Sequence, residues 1–191
     1  QAASRLTHEG LFKLDRDMKL VPALAAVGEI FFESSSRTSF ASPEERAAFL
    51  ERWTGYYLRQ WRERVLLWRE PDGSIAGYLT GCLDSEGAEP LYHAIGSYGL
   101  FTDLFEAFPA HLHVNCHARW RGQGIGSRLV ERFAADCGAA GLPGLHIVTG
   151  EGARNVDFYH RLGFRLRDTR TWAGRRLLFM GRTLSRKGLL R

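Results

Sequence analysis

The sequence predicts a mixed α/β chain of the α+β kind, one mixed sheet with helices on both faces. Three observations carry that expectation. Apolar periodicity gives helices first, then a hairpin, then the order strand–helix–strand–helix–strand–strand. At 191 residues the chain is the size of one domain, long enough to bury a core without metal or disulfide staples. Its composition, 45% hydrophobic and 25% charged, excludes the disordered and low-complexity classes. No repeat or linker divides it, so residues 1–191 read as a single domain. Charged residues interrupt every hydrophobic stretch before the ~18 residues of a membrane span. Gln1 to Arg5 has neither Met nor a signal-like apolar core and reads as a remnant of processing or expression.

In chain order, Lys19–Phe32 carries a helical stripe of Leu20, Leu24, Val27, Ile30 and Phe31. Ser42-Pro43-Glu44-Glu45 starts a second helix: Ser42 caps, Pro43 suits the first turn, and Glu45 reaches back to the cap amide. It continues through Phe49, Leu50, Trp53, Tyr56 and Tyr57. Arg64–Arg69 and Ile75–Thr80 flank Pro71-Asp72-Gly73 as a hairpin. Residues 84–109 lack a clean period; they read as a loop with a short helix, serving as a lid or substrate-facing wall, or as a packed irregular connection. His111–His117 alternates strictly, with Leu112, Val114 and Cys116 on one face and His111, His113, Asn115 and His117 on the other. A helix follows from about Gly126 to Cys137, then a strand over Gly144–Thr149 and a short helix over Ala153–Leu162 ended by Gly163. Phe164–Trp172 and Arg175–Thr183 are strands joined at Ala173-Gly174.

Chemistry concentrates at Arg121-Gly122-Gln123-Gly124-Ile125-Gly126, between a strand and a helix. Three alternate glycines leave the backbone open, so consecutive amides can face one anion at the positive end of the helix dipole. No Gly-Lys-Ser/Thr follows, which excludes a P-loop, and the spacing is not that of a dinucleotide fingerprint. A phosphate cradle and a plain tight turn both satisfy the turn taken alone.

Downstream residues resemble the GCN5-related N-acetyltransferase (GNAT) superfamily. Arg121-x-x-Gly124-x-Gly126 is similar to its acyl-CoA pyrophosphate motif, within 111–128. Asn155-Val-Asp-Phe-Tyr-His-Arg-Leu-Gly-Phe164 is similar to its Asn-x-x-x-Tyr-x-x-x-Gly-Phe signature, within 153–164. Phe108-Pro-Ala-His-Leu-His-Val-Asn115 resembles bacterial acetyltransferases related to the O-GlcNAcase C-terminal acetyltransferase-like domain, where the Asn115 position is often Asp. The resemblance implies a mostly antiparallel twisted sheet whose fourth and fifth strands splay around acetyl-CoA. Val114 to Cys116 would bond the pantetheine arm, and Arg121, Gly122, Gln123, Gly124, Ile125, Gly126 and Ser127 the pyrophosphate. Asn155, Phe158 and Tyr159 would approach the thioester.

The implied reaction is direct attack of a primary amine, of a small molecule or a protein Lys or N-terminus, on the acetyl group. Tyr159 matches the family's general acid, its phenol pKa of about 10 suiting a thiolate; the bland alternative is a packing aromatic. His113 is the candidate base, and Asn115 stands where a carboxylate could act but cannot itself take a proton. Four polar residues on one strand also invite a metal, but successive positions lie ~6.6 Å apart and no acidic cluster supports one, so no metal is expected. A weak or inactive acetyl-CoA-binding module of the same fold is the alternative function.

The net charge is +5. From Arg161 onward ten Arg or Lys face one acid, a local +9 that suits a nucleic-acid binder, an anionic cofactor or a solvated face. The cradle's own Arg119, Arg121 and Arg128 are better placed for a cofactor's phosphates, so nucleic acid is not the expected partner. Acceptor recognition is assigned to residues 29–40 and 85–108. Three widely spaced cysteines read as reduced thiols of a cytoplasmic protein, monomer or homodimer.

Overall fold

A computed structural model describes residues 10–13, 20–35 and 37–185. Gln1–Arg5, Lys19 and the chain after Ser185 lie outside the described residues. Seven strands are present: β1 (Leu11–Lys13), β2 (Leu66–Arg69), β3 (Ile75–Cys82), β4 (Ala110–Cys116), β5 (Gly144–Gly150), β6 (Arg165–Trp172) and β7 (Arg175–Thr183). They form one mixed sheet, as the element order predicts, in the strand order β1-β2-β3-β4-β5-β7-β6. The β4–β5 pair is parallel; β1–β2, β2–β3, β5–β7 and β6–β7 are antiparallel. β1, too short to show a period, is the strand that sequence reasoning did not find. Among the described residues no helix is long and apolar enough to cross a membrane.

The chain forms two compact units. The first takes the residues up to Thr80 together with Val114–Val130. Its helices are α1 (Leu20–Ser34), α2 (Pro43–Leu50) and α3 (Tyr56–Gln60), the last two joined through a π turn at Glu51–Gly55. Ser42 caps α2, its Oγ accepting from the Glu45 amide at 3.2 Å. Glu45 closes the box one residue earlier than expected, accepting from the Ala41 amide at 2.6 Å, and pairs with Arg37. Val27, Ile30 and Phe31 of α1 pack with Leu58, Val65, Leu67 and Tyr78 as this unit's core.

The second unit takes Gly81–His113 and the residues from Glu131 onward. Residues 84–109 are the packed connection, not a loose lid: α4 (Glu89–Ala94) and a 3₁₀ turn over Tyr98–Leu104 present Phe101, Phe105 and Phe108 to Phe179 of β7. Gly144 and Gly181 admit the Phe108 ring, since a Cβ on either would sit within 2.7 Å of it. α6 (Val156–Arg161) ends as expected at Gly163, whose φ is +83°. Ala173 and Gly174, φ +47° and +76°, form the left-handed pair that a two-residue hairpin loop requires.

Three imidazoles join this aromatic core. His146 stacks between Phe105 and Phe179, ring centroids 5.1 and 4.4 Å away, and its Nδ1 donates to the Phe108 carbonyl at 2.6 Å. His111 Nδ1 meets Ser85 Oγ at 2.7 Å, with His113 6.1 Å and His146 5.7 Å away between ring centroids. Sequence reasoning placed His111 on a polar strand face and passed over His146; both are buried. His117, assigned to the same strand, leaves it to cap the following 3₁₀ turn, Nδ1 accepting from the Arg119 amide.

Burial pushes His113 and His146 down to about 4 and His111 well below the usual imidazole value. The unfolded chain takes up protons near pH 6.5, while the folded histidines resist until about pH 4. Their contribution to stability is therefore full above about pH 6.5 and lost as pH falls towards 4. NMR titration is expected to give His146 a midpoint near 4; a midpoint near 6.5 would contradict its burial. Phe179→Ala should cost about 3–5 kcal/mol in urea unfolding. A loss below about 1 kcal/mol would mean that the 84–109 aromatics do not depend on β7.

Candidate functional site

The glycine turn lies in the first unit, between β4 and α5 (Ile125–Ala139). Gly122 and Gly124 have φ of +78° and +79°, conformations that side chains disfavour. Arg121–Gly124 is exposed, and nothing lies within 4 Å of a Cβ built on either glycine. Ile125 is buried and fixes the start of α5, while Gly126 and Ser127 stay partly exposed in its first turn. Left-handed residues alternating with ordinary ones turn successive amides towards one side, and the helix adds its positive end.

Three guanidiniums belong to the same unit. Arg121 folds back, its Nε donating to the Cys116 carbonyl at 3.0 Å and Nη2 to Ser34 Oγ at 3.2 Å. Arg128 lies over the Trp68 ring at 5.1 Å and Arg119 over Trp120 at 4.8 Å, both exposed. An acyl-CoA pyrophosphate fits this setting: open space, amides at a helix start, and cations in the same unit. Burial pushes the Cys116 thiol up to about 11, which keeps it protonated and unreactive. Val114, beside it at the end of β4, is partly exposed.

Asn115 is partly exposed and tied to two buried hydroxyls. Its Nδ2 donates to Tyr78 Oη at 2.9 Å, and Thr54 Oγ1 lies 3.2 Å from the same oxygen. Burial pushes the Tyr78 phenol up to about 12. Sequence reasoning missed Tyr78 and Thr54, since an aromatic inside a hydrophobic strand carries no signal of a polar contact. It also missed Glu33, whose carboxylate accepts from the Ala118 amide at 2.9 Å and lies 3.8 Å from His117 Nδ1.

The other named residues lie in the second unit. Asn155 precedes α6, its Oδ1 accepting from Thr149 Oγ1 at 2.9 Å. The Tyr159 ring, 5% exposed, meets Phe158 and Phe164 edge-on at 5.1 and 5.3 Å. Phe158 is partly exposed. The first unit thus gathers Val114, Asn115, Cys116 and Arg121–Ser127; the second holds His113, Asn155, Phe158 and Tyr159. Among the described residues no group of three or more His, Cys, Asp or Glu is arranged to hold a metal ion.

The basic C-terminal segment is largely engaged within its own unit. Arg170 pairs with Asp103 and Asp168, Arg176 with Glu151, and Arg182 with Glu131. Arg165 donates to the His160 and Phe164 carbonyls, and Arg167 lies over Phe108. Among the described residues, three acids from elsewhere in the sequence, Asp103, Glu131 and Glu151, thus pair with bases of this segment.

The fold is shared with several solved structures. SsHAT is 20% identical over 92% of this chain and 98% of its own, with a TM-score of 0.71. An N-acetyltransferase from Staphylococcus aureus Mu50 is 19% identical over 86% and 94%, TM-score 0.59. Naa20 of Chaetomium thermophilum, solved with a bisubstrate analogue, is 17% identical over 87% and 83%, TM-score 0.58. At such identities the likeness establishes the fold. Family assignment comes from the sequence: residues 29–164, well over half the chain and spanning parts of both units, match the acetyltransferase (GNAT) family, and the chain belongs to it.

Proposed function

We propose that this protein is an acetyl-CoA-dependent N-acetyltransferase acting on a primary amine, of a small molecule or of a protein Lys or N-terminus. The observation that carries the reading is the open turn of left-handed Gly122 and Gly124 at the head of α5, in a chain of the acetyltransferase family. Both units are taken as parts of one acetyltransferase domain. When bound, acetyl-CoA supplies the acetyl group as a thioester. Amides of Gln123–Ser127 hold its pyrophosphate, with Arg119, Arg121 and Arg128 nearby in the same unit, and backbone groups of Val114–Cys116 serve the pantetheine arm. Asn155 and Phe158 line the thioester end.

An amine must lose a proton before it attacks, and the departing thiolate must gain one. Tyr159 is assigned the second task, as a phenol whose ordinary pKa of about 10 suits a thiolate. The first does not suit His113. Desolvation holds it down to about 4, a poor match for an ordinary ammonium. Water is the better carrier of the amine's proton, so His113 serves structure and neutrality.

The second reading, a weak or inactive acetyl-CoA-binding module, is favoured by Asn115, an amide that cannot accept a proton. The finer likeness to O-GlcNAcase-associated acetyltransferases rests on Phe108–Asn115 alone. A cytoplasmic location fits Cys82, Cys116 and Cys137, which form no disulfide.

Thiol release from acetyl-CoA should be measured with spermidine, glucosamine, tyramine and a lysine peptide. Turnover with at least one is expected, and Tyr159→Phe should lower kcat by more than tenfold while changing acetyl-CoA affinity little. Tight acetyl-CoA binding with no turnover would favour the second reading; an unchanged rate in Tyr159→Phe would leave that residue a packing group.

A further inference from the structure

The side chains of Thr54, Tyr78 and Asn115 have no part in the cofactor binding or the acid role above, yet they form a continuous hydrogen-bonded chain. Thr54 and Tyr78 are 1% and 0% exposed, whereas Asn115 at the end of the chain is partly exposed. A phenol oxygen accepting from both neighbours would leave its own proton unpaired in the interior. The consistent pattern is Asn115 Nδ2 donating to Tyr78 Oη and Tyr78 donating in turn to Thr54 Oγ1. One Nδ2 hydrogen is thereby committed inward, which fixes the amide's orientation and leaves Oδ1 as its acceptor beside the second N–H.

We propose that Asn115 receives the N–H of the incoming amine on Oδ1, with Tyr78 and Thr54 as positioning residues that fix which end of the amide is offered. The proposal rests on the N-acetyltransferase reading. It also explains why an amide serves here better than a carboxylate. A carboxylate would stabilise the ammonium form and raise its pKa, holding the proton that must leave before attack. A neutral amide accepts one N–H without that bias and favours the free amine, the reactive species. The substrate class is thus a primary amine recognised as a hydrogen-bond donor, with no requirement for a positive charge at this residue.

Three measurements test it. In the unliganded protein, the Asn115 side-chain amide protons should exchange slowly with water by NMR, and quickly in Tyr78→Phe. Equal exchange in the two proteins would overturn the anchoring, whatever the activity. With the panel amine that the wild type turns over fastest, Asn115→Leu and Tyr78→Phe should raise the amine KM about tenfold, the loss of roughly one hydrogen bond, with acetyl-CoA affinity unchanged. Thr54→Val, which removes the far end of the chain, should shift KM in the same direction. In Asn115→Asp the pH–rate profile should move upward by about one unit, as the carboxylate retains the ammonium. An unmoved KM in Asn115→Leu, or a raised KM with an unmoved profile in Asn115→Asp, would overturn the proposal and leave the N-acetyltransferase reading intact. A wild type that consumes acetyl-CoA with none of the four amines overturns both.

Discussion

A backbone amide or carbonyl withdrawn from a sheet must find another partner, and β5 raises that requirement from its fourth residue onward. Its parallel ladder with β4 comprises two pairs, Ala110 with Leu145 and His111 with His146. On its other edge β5 is paired with β7 at every residue from Gly144 to Gly150. One edge is therefore held along its whole length while the other is held only at its start. The firm edge is backed by Phe179 and Met180 of β7, both fully buried. The two-residue ladder is set where the core is strongest, beside the stacked His146.

The histidines show how a polar-looking pattern can serve a core. His111 and His146 are buried, and the carbonyl of Phe108 fixes His146 as an Nδ1–H tautomer. Stacking on Phe105 and Phe179 then lets the imidazole act as one more flat aromatic.

Much of this was legible in the sequence. The helix start at Ser42-Pro43, the hairpin around Asp72-Gly73 and the Ala173-Gly174 turn each rest on local backbone chemistry, which sequence states directly. The glycines at 122 and 124 were legible for the same reason, since they need left-handed backbone. Tertiary pairing was not legible. Nothing in Tyr78 or Thr54 announces the bond to Asn115, and no period marks Phe101, Phe105 and Phe108 as one cluster, because their common partner Phe179 lies far along the chain. The partners of the basic segment were not legible for a related reason: counting Arg residues from 161 onward omits Asp103, Glu131 and Glu151, which pair with Arg170, Arg182 and Arg176.

In the proposed function the Gly122–Gly124 turn and α5 hold acetyl-CoA by its phosphates. Calorimetric titration of the wild-type protein with acetyl-CoA and, separately, with acetyl-pantetheine separates that contribution from the rest. Single-site binding of acetyl-CoA is expected, weakening by at least a hundredfold when the pyrophosphate is missing, about 2.7 kcal/mol for two to three charge-assisted contacts. Equal affinity for the two compounds, or no binding of acetyl-CoA, would contradict it.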